Sequence, residues 1–228
     1  RGRGKAGVDD LAARRADALC RRSGWCFAMS RLLIAGATGL VGRRALDLAL
    51  KDVRIMHVVA PTRRPLPPHA KLENPIVDFD ALPTGADWWR VDAVLCALGT
   101  TIRDAGSQAA FRRVDVDYVV AVATCARDAG ARSFALNSSL GADPAAGNFY
   151  LRCKGGAEAA VKGLGYPSLT VVRPSVIGGE RERRRPMEHF SMRMLRTFAP
   201  LVPKRYRVVE AGAIAAVMID AALAAEPG

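Results

Sequence analysis

Tyr150 and Lys154 stand four residues apart, with Ser138 and Ser139 just upstream, and together these residue types can move a proton. On a helix, positions four apart share one face and lie a turn from each other. A free phenol has a pKa of about 10, too high for a good base at neutral pH. A neighbouring ammonium favours the phenolate, and a serine hydroxyl beside it can hold a substrate oxygen. Tyr-x-x-x-Lys alone occurs by chance on many amphipathic helices, so its meaning depends on the elements that carry it.

The first such element is a glycine loop. Residues 31–35 form a short apolar run that predicts a buried strand, followed by Gly36-Ala37-Thr38-Gly39-Leu40-Val41-Gly42 and a helical pattern through Ala45, Leu46, Leu48, Ala49 and Leu50. Gly36 permits a tight turn, Gly39 lets backbone approach a pyrophosphate, and Gly42 lets the helix pack on the strand. The helix start adds free N–H groups and a positive dipole end for phosphate. A glycine triplet placed between strand and helix predicts a dinucleotide site.

The second strand, expected over residues 53–60, selects the cofactor. It runs into Pro61-Thr62-Arg63-Arg64 with no carboxylate at its end. An acid there would hold the ribose 2′-hydroxyl of NAD, whereas two guanidiniums suit the 2′-phosphate of NADP(H). Two solvated loop arginines are the other reading in so basic a chain. NADP(H) is favoured over NAD(H).

Strands and helices continue to alternate. A third strand is expected over residues 74–79, where Asp78 either accepts from an adenine amino group or simply forms a turn. A fourth, over residues 92–97, opens into Leu98-Gly99-Thr100-Thr101, small enough for a cofactor to cross the strand ends. A long helix is expected over residues 107–129, with Phe111, Val114, Tyr118, Val122 and Cys125 at helical spacing, mostly core. The strand over residues 133–137 delivers Ser138 and Ser139, the helix from Tyr150 runs to about residue 164, and a last strand over 169–173 leads to Pro174 through Gly178. All candidate groups then fall at one edge of the sheet. This alternation predicts an α/β fold, a doubly wound parallel sheet of Rossmann type with a short C-terminal helical cover. The cover is expected over residues 187–198, after an arginine-rich loop at 181–185.

Composition sets bounds. The 228 residues suit one domain with a sizeable core. Residues 1–28 read as a tail, flexible or not native to the fold; Asp9, Asp10 and Asp17 argue against a transit peptide. Residues 29–228 read as a single NAD(P)-binding domain. No apolar stretch is long and charge-free enough to span a bilayer, and the alanine-rich segment 211–225, interrupted by Asp220, reads as a packing helix. Five scattered cysteines without metal-ligand spacing favour reduced thiols and a cytoplasmic protein, and His57, His69 and His189 are too dispersed for a metal site. The net charge of +12 suits nucleic acid, an acidic membrane surface, or an anionic cofactor and substrate, and the sequence does not choose a membrane. It lacks the aromatic-interleaved basic motifs of a nucleic-acid binder.

The sequence resembles the short-chain dehydrogenase/reductase superfamily, and within it the atypical group of Tat-interacting-protein-type oxidoreductases and their bacterial relatives. The resemblance rests on the glycine loop, Arg63-Arg64, Val77-Asp78-Phe79, Leu98-Gly99-Thr100-Thr101, the stretch from Phe111 to Val119, Ser138-Ser139-Leu140-Gly141-Ala142-Asp143, and Asn148 through Gly155. It implies that Thr38, Gly39, Leu40 and Val41 line the pyrophosphate, Arg63 and Arg64 the 2′-phosphate, Leu98 and Gly99 the underside of the cofactor, and Ile177 the nicotinamide. It implies Tyr150 as proton donor or acceptor, Lys154 as ribose ligand and Tyr150 activator, and Ser139 (or Ser138) as substrate-orienting hydroxyl. Two positions depart from the pattern: Thr62 replaces a glycine before the arginine pair, and Asp115 stands where the superfamily often has asparagine. The large sugar-binding domain of extended relatives is also missing, which weighs against an epimerase of nucleotide sugars.

The expected function is that of an NADPH-dependent oxidoreductase acting on a small carbonyl or alcohol substrate. The alternative is an NADPH-binding regulatory protein with little or no turnover, answering to a protein partner.

Overall fold

Apolar runs without alternation become strands covered on both faces. Strand β1, Ser30–Ala35, sends Leu32 and Ile34 to one side and Leu33 and Ala35 to the other, and all four are fully buried. The computed structural model describes residues 30–178 and 208–226. The expectations for residues 1–28, the arginine run at 181–185 and the covering helix at 187–198 lie outside the described residues.

The elements after β1 are helix α1 (Leu40–Ala49), strands β2 (Ile55–Val59), β3 (Leu72–Glu73) and β4 (Ala93–Cys96), and short helices α2 (Ile102–Ala105) and α3 (Gln108–Arg112). A π-turn (Arg113–Asp117) joins α3 to α4 (Tyr118–Asp128); β5 (Ser133–Asn137), α5 (Phe149–Gly163), β6 (Ser168–Val172), β7 (Val176–Gly178), β8 (Val208–Glu210) and α6 (Ala211–Ala224) complete the order. The main sheet is parallel, in the order β3-β2-β1-β4-β5-β6, the doubly wound Rossmann arrangement. The strand order reverses between β1 and β4, so their carboxyl ends open the crevice where such sheets take ligands. The strands β7 and β8 pair in parallel as a separate ribbon.

Two helical layers cover the sheet. Helices α1 and α6 bury Ala45, Ala49, Ile214 and Met218 against Leu32, Ile34, Val58 and Leu95. Helices α3, α4 and α5 bury Phe111, Val122 and Val161 against Leu33, Val94, Phe134 and Leu136. Each fully buried Val, Leu, Ile, Phe or Met among these stabilises the fold by about 1.5–3 kcal/mol. The expectation for residues 211–225 holds: α6 is a packing helix, pinned at Asp220 by Arg54, which also grips Asp52. Among the described residues no helix is long and apolar enough to cross a membrane.

Two expected elements need correction. The third strand is β3 at Leu72–Glu73 rather than residues 74–79, which keep only an isolated bridge between Thr62 and Ile76. Pro75 has no N–H for a ladder, and the Asn74 side chain takes over bonding there, donating to the Ala60 carbonyl and to Thr62 Oγ1 (2.8 Å). The helix expected over 107–129 is interrupted by the π-turn. The wider turn shifts the helical phase, so Asp115 and Val116 face inward while Val114 and Tyr118 are only half-buried.

Candidate active site

Gly36 closes the turn after β1 with φ +85°, a backbone region that side chains rarely allow. A Cβ there would lie 2.7 Å from the Ala97 carbonyl carbon and oxygen, so the turn rests on the exit of β4. At Gly42 an added Cβ would fall 2.0 Å from the Gly36 carbonyl oxygen, so α1 presses directly on the turn. Gly39 caps α1 with no side-chain acceptor, and the first turn carries no acidic residue. Thr38 and Gly39 are exposed, while Leu40 is half-buried and Val41 buried. The loop therefore presents uncapped N–H groups and a positive helix end to solvent, which fits a pyrophosphate.

At the exit of β2, buried Thr62 shapes the loop that a glycine usually makes. Its hydroxyl donates to the Arg64 carbonyl at 2.6 Å and accepts from Asn74. Arg63 and Arg64 leave this braced turn exposed, a placement that suits a 2′-phosphate. Asp78 is exposed, and its Oδ1 accepts the Asp80 N–H at 2.9 Å, the bond of the turn-forming alternative.

At the exit of β4, Leu98 packs on the layer of α3–α5 and Gly99 is exposed. A Cβ on Gly99 would lie 3.3 Å from Asp115 Oδ1 and 3.5 Å from Lys154 Nζ. These two atoms are themselves 2.7 Å apart, in an ion pair whose side chains are 8% and 1% exposed for Lys154 and Asp115. Asp115 Oδ2 accepts the Thr100 N–H at 2.8 Å. Burial pushes the Asp115 carboxyl up, opposed by Lys154 and by that N–H. Burial likewise pushes the neighbouring Cys96 thiol up to about 11; Cys96, Cys125 and Cys153 are free and buried.

The structure separates the two serines after β5. Ser138 is buried and donates to Glu158, which also accepts from Arg173 Nε at 3.0 Å and from its NH2 group. Ser139 Oγ has only a long contact, 3.5 Å, with the Leu140 carbonyl. Ser138 is thus committed to the wall of the site and Ser139 keeps its hydroxyl available. Sequence reasoning missed Glu158 and Arg173. The available signal was the spacing of Tyr150, Lys154 and Glu158, which repeats every four residues and so stays on one face of α5.

Helix α5 starts at Asn148, whose side chain accepts the Leu151 N–H at 3.2 Å. Tyr150 is half-buried with its ring 5.8 Å from that of Phe111. Ile177, in β7, packs with the opposite layer of α1 and α6. The loop from Ser139 back to α5 is clamped at Gly155, where a Cβ would meet the Asp143 carbonyl carbon at 2.2 Å; at Gly156 nothing lies within 4 Å. Adjacent glycines should therefore respond with opposite signs. Gly155→Ala is expected to lose about 1–3 kcal/mol through forced backbone movement, and Gly156→Ala to gain about 0.5–1 kcal/mol through helix propensity. Urea unfolding of both variants checks this, and losses at both positions would refute the close packing of loop on helix.

Relatives share this chain. The mitochondrial protein fmp52 of Emericella nidulans is 33% identical over 169 residues, covering 70% of this chain and 72% of its own. The chain belongs to the FMP52 family. HTATIP2 of Rattus norvegicus is 36% identical over 162 residues, 69% of this chain and 66% of its own, just under two thirds of that protein. No family model matches the chain. Among solved structures, MoeE5 in complex with UDP-glucose and NAD superposes with a TM-score of 0.64 at 18% identity, covering 85% of this chain and 71% of its own. The Bordetella bronchiseptica enzyme WbmH in complex with NAD+ gives 0.64 at 15%, covering 86% and 72%. At such identities these two neighbours show the fold.

The expectation of a cytoplasmic protein is corrected by these relatives, since the FMP52 proteins of several fungi are named as mitochondrial. The expectation rested on scattered cysteines, and cysteine spacing does not say which compartment holds a protein.

Proposed function

We propose that this protein is an NADPH-dependent oxidoreductase acting on a small carbonyl or alcohol. One observation carries the reading: the Lys154–Asp115 pair lies directly beneath Gly99, so the acid–base helix α5 meets the crevice that the glycine loop opens. The cofactor would supply the hydride. Tyr150 would exchange the proton at the substrate oxygen and Ser139 would hold that oxygen. Lys154 would reach the nicotinamide ribose. The glycine loop and the start of α1 would hold the pyrophosphate, and Arg63 and Arg64 the 2′-phosphate.

NADPH is favoured over NADH because β2 ends in two exposed guanidiniums and no carboxylate, although the solved neighbours are NAD complexes. Partly solvated charge-assisted bonds of this kind should give about tenfold tighter binding. At a fixed saturating concentration that is about 1.4 kcal/mol, or roughly 3–6 °C more thermal shift with NADPH than with NADH. The Arg63→Ala/Arg64→Ala variant should bring the two shifts together. Equal shifts in the unmodified protein would sink the NADPH assignment. For location, the relatives' names point to the mitochondrion.

A further inference from the structure

Thr62 departs from the glycine that usually precedes the arginine pair, and the structure gives that departure a role. The backbone bends at Arg63 and Arg64, between buried Thr62 and half-buried Leu66, which packs on the layer of α1 and α6. Two side chains fasten this loop at its start, its middle and its end. Asn74 donates to the Ala60 carbonyl and to Thr62 Oγ1 (2.8 Å), and its Oδ1 accepts the Leu66 N–H at 2.8 Å. The Thr62 hydroxyl in turn donates to the Arg64 carbonyl at 2.6 Å. Main-chain bonds hold the base of the loop. The Thr62 N–H donates to the Pro75 carbonyl at 3.0 Å, and the Val77 N–H to the Thr62 carbonyl at 2.9 Å. Pro61 and Pro65 add stiffness, since each fixes its own φ and Pro65 disfavours helical backbone at Arg64.

We propose that Thr62 and Asn74 are positioning residues that hold the arginine loop in a phosphate-binding shape before any cofactor arrives, and so set the preference for NADPH over NADH. The inference rests on the NADPH reading above and names what makes that preference. A guanidinium recognises phosphate through paired, directed N–H bonds. Groups of that kind must be held within about 0.5 Å of the productive geometry. A loop free to change shape meets that need in only a fraction of its conformations, and its affinity falls by that fraction. A loop already fixed avoids the ordering cost on binding. A glycine at position 62 would leave the Arg64 carbonyl without the hydroxyl that now holds it. Under the same reading the pyrophosphate falls to the glycine loop, so loosening at residues 61–66 should reach the 2′-phosphate alone.

Fluorescence titration of the full chain with NADPH and with NADH tests this through the ratio of the two dissociation constants, which a general loss of structure does not move. In the unmodified protein the ratio should be about ten in favour of NADPH. In Thr62→Val, which keeps the shape and loses the hydroxyl, NADPH binding should weaken about three- to tenfold while NADH binding stays within about twofold. Thr62→Ser keeps the hydroxyl and should return the ratio to within about twofold of the unmodified protein. Asn74→Ala should act in the same direction as Thr62→Val. Because both act through one network, Thr62→Val/Asn74→Ala should lose no more than about twofold beyond the worse single variant.

A ratio that survives Thr62→Val, or equal weakening toward both cofactors, overturns the proposal. Should the variants fail to fold, hydrogen exchange in the unmodified protein decides. Without cofactor the Leu66 N–H should exchange more than about tenfold slower than an open amide, and an open Leu66 N–H that only NADPH protects overturns the preformed loop. Equal affinities for NADPH and NADH in the unmodified protein overturn the NADPH reading and this inference with it. Discrimination that outlives the hydroxyl overturns this inference alone.

Discussion

In Gly42→Ala the melting temperature is expected to drop by about 6–12 °C and the response to NADPH to vanish. The added methyl carbon would start 2.0 Å from the Gly36 carbonyl oxygen and 2.7 Å from its carbon, distances no packed atoms hold. The obstacle is backbone rather than the tip of a flexible side chain, so either α1 or the turn must move. Overpacking of this severity costs about 3 kcal/mol or more, and each kcal/mol is worth roughly 2–4 °C in a domain of this size. Moving α1 also misaims the uncapped N–H groups at its start, which is why the loss of cofactor response should accompany the loss of stability. Gly85→Ala is the control, since nothing lies within 4 Å of a Cβ there; it should shift stability by less than about 0.5 kcal/mol. Differential scanning fluorimetry with and without NADPH reads both quantities. A Gly42→Ala protein that melts and responds normally would falsify the direct seating of helix on turn.

In Tyr150→Phe, turnover of a carbonyl substrate should fall by about 10²–10⁴-fold, the usual contribution of a positioned acid or base, while NADPH binding stays within about twofold. The ring contact with Phe111 survives the change, so the fold should be intact and the loss confined to the proton. NADPH oxidation over a panel of small carbonyls, beside thermal shift with NADPH, separates the two effects. Undiminished turnover would remove Tyr150 from the chemistry. If the unmodified protein oxidises no NADPH with any carbonyl yet binds a partner in an NADPH-dependent way, the regulatory alternative gains.

Much of the sheet was legible because its strands are apolar on both faces. The segments at β1, β4 and β5 could only be buried, and their order followed from helices between them. The misplaced third strand shows where that logic stops. There a side chain, Asn74, takes over bonding that a backbone ladder would make, and pattern does not reveal such substitution. The π-turn is similarly hidden, because regular helical spacing puts Val114 and Tyr118 inward, and only tertiary packing turns Asp115 in instead. In the site, Tyr150, Lys154 and the glycine loop were visible by type and spacing. The division of work between Ser138 and Ser139 was not, because it depends on Glu158 and Arg173 meeting from different elements. Lys154 was visible by spacing, but its buried ion pair with Asp115, a residue noted only as a departure, was not.

The pairing of α1 with α6 bears on how the protein is made. The face of α1 that carries Ala45 and Ala49 is covered by Ile214 and Met218, and the start of β2 is tied to Asp220 through Arg54. During synthesis helix α1 at residues 40–49 emerges well before its cover, helix α6 at residues 211–224. The amino-terminal half must wait with an apolar flank open to water, and the crevice matures only when residues 211–224 arrive. Chains interrupted before that point would lose the wall behind the glycine loop, and chaperones would meet them as exposed alanine and leucine surface.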